Sequence, residues 1–180
     1  MEVSAPLFAA GARYFSAGDD PLTERLTAEL AMRCLIGESS PLYNRLYAEG
    51  LINQDFGAGA DVMAGAANLI LSGESRDPGA VLSAFAGEVR RVSETGLDPA
   101  LFERARRASY GRRLRNLGSF LGSCAALAEG CFNGYEAMEG FEALERVTAR
   151  DIQSFIRERL SPENLAISIV YPKTAEEDEA

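Results

Sequence analysis

Strand-type and helix-type patterns are segregated along this 180-residue chain instead of alternating, and that order leaves few folds open. An aromatic-rich stretch, Pro6 to Ser16, reads as an opening strand and ends in the turn-like residues 17–20. Leu22, Leu26, Leu30 and Cys34 then recur at helical spacing, widened by Met32, Leu35 and Ile36. They predict a helix packed on a sheet, capped by Asp19 or Asp20. Gly37 stops it, and Ser39-Ser40-Pro41 opens a second, short helix by the cap-then-proline rule. That helix closes at Gly50, where glycine tolerates a left-handed cap, and Leu51-Ile52 lead into a strand. Two antiparallel strands, roughly 51 to 60 and 64 to 73, follow in a segment rich in glycine and alanine.

Helical patterns fill the next stretch. Asp77-Pro78 starts a helix that turns Val81, Leu82, Phe85, Val89 and Val92 inward and stops at Thr95-Gly96. Asp98-Pro99 starts a basic helix, Ala100 to about Leu117, and Gly118-Ser119 separates it from a nearly neutral one, Phe120 to Phe132. Tyr135 to Val147 is a weaker helical stretch. Thr148-Ala-Arg-Asp151 is a capping box for a last helix that buries Ile152, Phe155, Ile156 and Leu160. Leu165 to Tyr171 is the clearest strand of all. Strands and helices sorted in this way predict an α+β fold, an antiparallel sheet covered on one side by helices. No linker divides the chain, so residues 1–173 form one domain and 174–180 an acidic disordered tail.

A chain of this length removes roughly 70% of its unfolded-state surface from water, so it needs neither disulfide nor metal to be stable. Its formal charge of −9 argues against nucleic-acid binding, which draws on clustered cations. No apolar run reaches the roughly 18 residues of a membrane span, and no charged-then-apolar leader opens the sequence. One dense basic stretch, Arg104 to Arg107 and Arg112 to Arg115, raises the question of an anion site. Arginine on the outer face of an amphipathic helix is ordinarily solvated, and that reading is preferred.

Cys34, Cys124 and Cys131 all fall in apolar helical patterns, which reads as three reduced thiols packed in a core and places the protein in the cytoplasm. Cys124 and Cys131 are two turns apart, about 10 Å, too far for a shared metal or a disulfide. The chain contains no histidine. A Ser-His-Asp triad, a Cys-His dyad and the usual zinc hydrolase site therefore cannot be complete within it. Gly57-Ala-Gly59 and Gly118 to Gly122 lack the pattern of a phosphate loop. Arg45, in the middle of the short second helix, is the one candidate for substrate contact, although its spacing from Glu49 equally fits a surface ion pair.

The segment Gly37-Glu-Ser-Ser-Pro-Leu-Tyr-Asn-Arg-Leu-Tyr-Ala-Glu-Gly-Leu-Ile52 resembles a pattern of the pitrilysin/insulinase family of zinc peptidases, which includes the mitochondrial processing peptidases. Gly96 to Arg106, Tyr110-Gly-Arg112, Phe132-Asn-Gly134, Leu144 to Thr148 with Asp151-Ile152, and Pro162 to Val170 follow the same cadence in order, nearest to its bacterial members. The resemblance implies a half-domain of the LuxS and processing-peptidase type, two of which close around a peptide chamber. In that family one half carries a His-x-x-Glu-His zinc site. With no histidine, this chain resembles the other half, noncatalytic alone, with zinc and the cutting chemistry in a partner half, in cis or in trans. Its beginning directly at a strand fits an excised domain or a separate subunit.

The resemblance further implies that this half contributes an Arg, carried over to Arg45, and seven residues later a Tyr that engages the substrate. Counting from Arg45 puts that Tyr at Ile52, and counting from Gly50-Leu51 puts it at Asn53; neither is Tyr. Peptide binding and chamber formation are thus the expected role. The alternative is a structural or partner-binding relative with no peptidase activity in either half. An unpaired half would expose an apolar face, so homodimerisation in isolation is also expected.

Overall fold

A computed structural model describes residues 5–16, 20–63 and 65–172. Asp19 and the acidic tail at 174–180 lie outside the described residues. Four strands, β1 (Leu7–Tyr14), β2 (Gly57–Met63), β3 (Ala66–Glu74) and β4 (Ala166–Val170), form one antiparallel sheet in the order β2-β3-β1-β4. Among the described residues seven α-helices accompany it: α1 (Pro21–Ile36), α2 (Pro41–Ala48), α3 (Pro78–Thr95), α4 (Pro99–Leu117), α5 (Phe120–Asn133), α6 (Glu139–Arg146) and α7 (Ala149–Arg159). The architecture is the α+β arrangement read from the sequence.

Register and burial agree on which face of the sheet is covered. Phe8, Ala10, Ala12 and Tyr14 of β1 are buried and stand opposite Gly73, Leu71, Leu69 and Ala67 of β3, so one face carries the core. The other face presents residues such as Ala9, Arg13, Ile70 and Ser72. Against the covered face lies α1, whose Leu26, Leu30 and Cys34 are fully buried, and beside it pack α3 and α7, with Phe155 of α7 edge-on to Tyr14 of β1. Every described α-helix but α6, which follows Met138 without a side-chain cap, begins at a capping side chain. Asp20 accepts from the Thr23 N–H at 3.0 Å, Ser40 from Tyr43 at 3.1 Å and Asp77 from Ala80 at 2.9 Å, while Thr148 and Asp151 complete the capping box.

Two glycines are required for different reasons. Gly50 has φ of 66°, the left-handed cap expected. Gly37 is extended, and its need for glycine comes from close approach: a Cβ there would stand 2.6 Å from the Arg33 carbonyl oxygen.

Four expectations need correction. Leu51-Ile52 do not open a strand: residues 51–56 form turns that begin where α2 ends, and β2 starts only at Gly57. The second strand runs 66–74 instead of 64–73. The helical stretch from Tyr135 shrinks to α6, because Gly134 and the turns after it delay the first hydrogen-bonded turn to Glu139. Cys124 and Cys131 are exposed, not packed in the core, because α5 has almost nothing over it; only Cys34 is buried.

Candidate functional site

A cleft of about 800 Å³ opens between α1, the α1–α2 junction, β2 and the α4–α5 pair. Local sequence rules build each wall. Gly37 and the Ser40 cap turn the chain sharply between α1 and α2, leaving Gly37, Glu38 and Ser39 on the cleft. Asp98 starts α4 by accepting from the Ala100 N–H at 3.0 Å, and Ser119, accepting from Gly122 at 3.0 Å, restarts the helix as α5 after a two-residue joint. Ala125 and Ala126 of α5 keep the cleft open by being small.

Charge holds α5 in place where apolar packing is missing. Glu29 of α1 accepts from Arg25 Nε at 3.1 Å and from Arg113 of α4 at 3.4 Å. Arg25 also pairs with Glu129 of α5 and donates to the Tyr135 hydroxyl at 3.3 Å. These side chains are about a quarter to a third exposed, so the pairs are partly shielded from solvent.

Beyond this network the cleft is basic on balance, with Glu38 the one further carboxylate among its described lining residues. Arg33, Arg107, Arg112 and Arg115 line it, and none has a carboxylate within ion-pairing distance among the described residues. Burial, and then the charge of Arg112, pull the half-buried Arg33 guanidinium below its ordinary pKa, although Glu29 and Glu38 pull the other way. An arginine remains protonated even so, leaving a desolvated positive charge facing the cleft. The basic stretch of α4 is therefore only partly the solvated outer face anticipated: Arg112 and Arg113 lie close enough to Arg33 of α1 to act on its charge, and Arg115 lines the same cleft. Arg33 escaped sequence reading because it sits between Met32 and Cys34 on a helix read for its apolar stripe. A lone arginine in that run was the available signal.

Arg45 occupies a different position. It is exposed on α2, outside the cleft, while Tyr43 of the same helix is half-buried and lines it. No ion pair joins Arg45 to Glu49 among the described residues; the C-terminal carbonyl of Glu49 is instead capped by Arg76 at 2.8 Å. Tyr43 and Tyr47 stack with ring centroids 6.1 Å apart. Ile52 is 4% exposed and belongs to the core, so of the two candidate positions only Asn53 can face outward. Its amide donates to Glu74 at 3.4 Å and its oxygen accepts from the Asp55 N–H at 3.0 Å.

The residues present do not fit zinc. The sequence has no histidine, and no group of three or more Cys, Asp or Glu side chains able to hold a metal occurs among the described residues.

Residues 12–109 match the family model described as the peptidase M16 inactive domain. The chain is 24% identical over 160 residues to the uncharacterized zinc protease YmfH of Bacillus subtilis, covering 89% of this chain and 37% of that protein. In fold it is similar to an M16-like peptidase of Alicyclobacillus acidocaldarius, with TM-score 0.86 and 21% identity over 96% of this chain and 42% of the other. The inactive peptidase domain of a zinc protease from Bordetella parapertussis superposes with TM-score 0.77 and 18% identity, over 96% and 94% of the two chains. The chain thus spans about two fifths of the length of the first two.

Proposed function

Because the chain belongs to the peptidase M16 inactive-domain family, we propose that it is the peptide-holding half of a two-part zinc peptidase. It forms one wall of a substrate chamber whose metal and cutting residues lie in a partner half. The match to the family's inactive domain carries this reading, and the lack of any imidazole supports it, since the two histidine zinc ligands of a His-x-x-Glu-His site cannot come from this chain. Arg45, exposed and without a carboxylate partner among the described residues, is available to hold a peptide near the scissile bond. The apolar surface of α5 is the face for the partner half. Phe120, Leu121, Leu127 and Phe132 are each more than 60% exposed on one helix. A cytoplasmic setting belongs to the proposal, on the exposed free thiols Cys124 and Cys131.

The test is reconstitution. The chain is combined with the His-x-x-Glu-His-bearing half from its own polypeptide or neighbouring coding sequence, and cleavage of an unfolded peptide is followed with and without chelator. Chelator-sensitive cleavage only in the mixture, reduced by Arg45→Ala with folding intact, is the expected result. Cleavage by this chain alone would overturn it. One observation favours a second reading, a partner-binding relative with no peptidase activity: Asn53 replaces the expected phenol and is committed to Glu74 and Asp55. No cleavage by the mixture, with the two halves still associating, is the outcome that selects it.

A further inference from the structure

The outer edge of β2 and the unpaired arginines face the same cleft. β2 ends the sheet order, and no strand among the described residues bonds its outer edge. Gly57, Ala58, Gly59 and Ala60 all line the cleft. Successive strand residues point to opposite faces, so four in a row on one cleft means that the backbone edge itself is presented, over about 13 Å. No large side chain crowds this stretch: Gly57 and Gly59 have none, and Ala58 and Ala60 carry only a methyl. An exposed edge of this kind is a template for another extended segment.

The side of β2 that faces the helices holds the cations. Ala58 and Ala60 stand opposite Leu71 and Leu69 of the covered face, toward the helix layer that carries Arg33 and Arg112. In a strand added to β2, every second side chain would point the same way. The chain as a whole carries −9, so this cleft is a local reversal of sign, and an anionic segment is the complementary occupant.

We propose that the cleft binds an extended acidic peptide segment, added antiparallel or parallel to the free edge of β2, with carboxylates at alternate positions received by Arg33 and Arg112. Arg107 and Arg115 at the rim supply long-range attraction. This deepens the chamber-wall reading, on which it rests for the source of the peptide, by naming the substrate class; the binding itself is a property of this chain.

The experiment is fluorescence anisotropy with the full 180-residue chain and labelled seven-residue peptides in which glutamate alternates with valine. Saturable binding is expected. It should weaken at least about 10-fold when lysine replaces glutamate, or with Arg112→Glu, since a charge-assisted contact becomes a repulsion. Methylating alternate backbone nitrogens of the glutamate peptide should cost a similar factor by removing the edge hydrogen bonds, with no change to the protein. Arg90→Glu, an exposed arginine of α3 away from the cleft, should change affinity less than about 2-fold. No saturation with the glutamate peptide overturns the proposal, as does equal binding of the methylated peptide or an equal effect of Arg90→Glu. The result is separable from the chamber-wall reading. Reconstituted cleavage without acidic-peptide binding leaves that reading and removes this one; binding without reconstituted cleavage does the reverse.

Discussion

Glu29 and Arg113 meet at 3.4 Å although 84 residues separate them, and with Arg25 on the other oxygen of Glu29 they tie α4 to α1. Beside this tie, Arg33 of α1 and Arg112 of α4 line the same cleft without such a partner among the described residues, so Glu29 and Glu129 neutralise one part of the cleft and leave these guanidiniums unmatched.

Glu29→Gln is expected to loosen that tie. Arg25 keeps Glu129 and Tyr135, but Arg113 loses its only carboxylate among the described residues. The side chains are 27% exposed, so the loss should be about 1 kcal/mol at low salt and smaller at high salt. Urea denaturation in both buffers measures it, and a loss unaffected by salt would contradict the ionic account.

The cap of α1 is expected to make stability pH-dependent. The Thr23 backbone N–H, bonded to Asp20, holds its carboxyl below the usual aspartate range. A folded pKa below the unfolded one contributes stability that is present above the unfolded value of about 3.9 and is lost as pH falls through the folded one. Asp20→Asn should therefore lose part of the fall in stability between neutral and strongly acid pH, while remaining folded at neutrality. Identical pH profiles for the two proteins would remove Asp20 from the account.

Cysteine reactivity separates the three thiols. Cys34 is fully buried and burial pushes its thiol up to about 12, whereas Cys124 and Cys131 are exposed on α5. An aromatic disulfide reagent at mildly alkaline pH should titrate two thiols promptly in the native chain and the third only after unfolding.

The face of α5 is expected to make the isolated chain self-associate. Phe120 and Phe132 are 88% and 89% exposed, so replacing both with Ser should abolish association at high concentration while changing folding stability by less than about 1 kcal/mol. Light scattering coupled to size exclusion reads the mass; a wild-type chain that stays monomeric at high concentration would count against the expectation.

Much of the fold is legible because its signals are local. Asp20, Ser40, Asp77, Asp98 and Thr148 mark helix starts by bonding N–H groups only two or three residues ahead, and no distant contact is needed to read them. The stripes of α1, α3 and α7 are equally direct, because a helix that covers a sheet must be apolar on one side. The strand expected at Leu51 failed for a related reason: Ile52 and Phe56 are apolar because turns bury them, and burial alone does not distinguish a turn from a strand. The candidate site was legible only in part. Arg45 follows from a motif, but its place outside the cleft does not.

Composition and pattern alone determined that this chain is an α+β domain without histidine, and their resemblance pointed to the non-zinc half of a peptidase family. Those properties depend on residue identity and on spacing over a few turns. Tertiary structure alone decided that α5 is exposed, so that Cys124 and Cys131 leave the core, and that Arg33 and Arg112 come together on one cleft bordered by an edge of β2 that no strand among the described residues pairs. An apolar helix reads the same whether its own domain or a partner covers it. The sign of a cleft depends on which charges the fold brings together and which it neutralises.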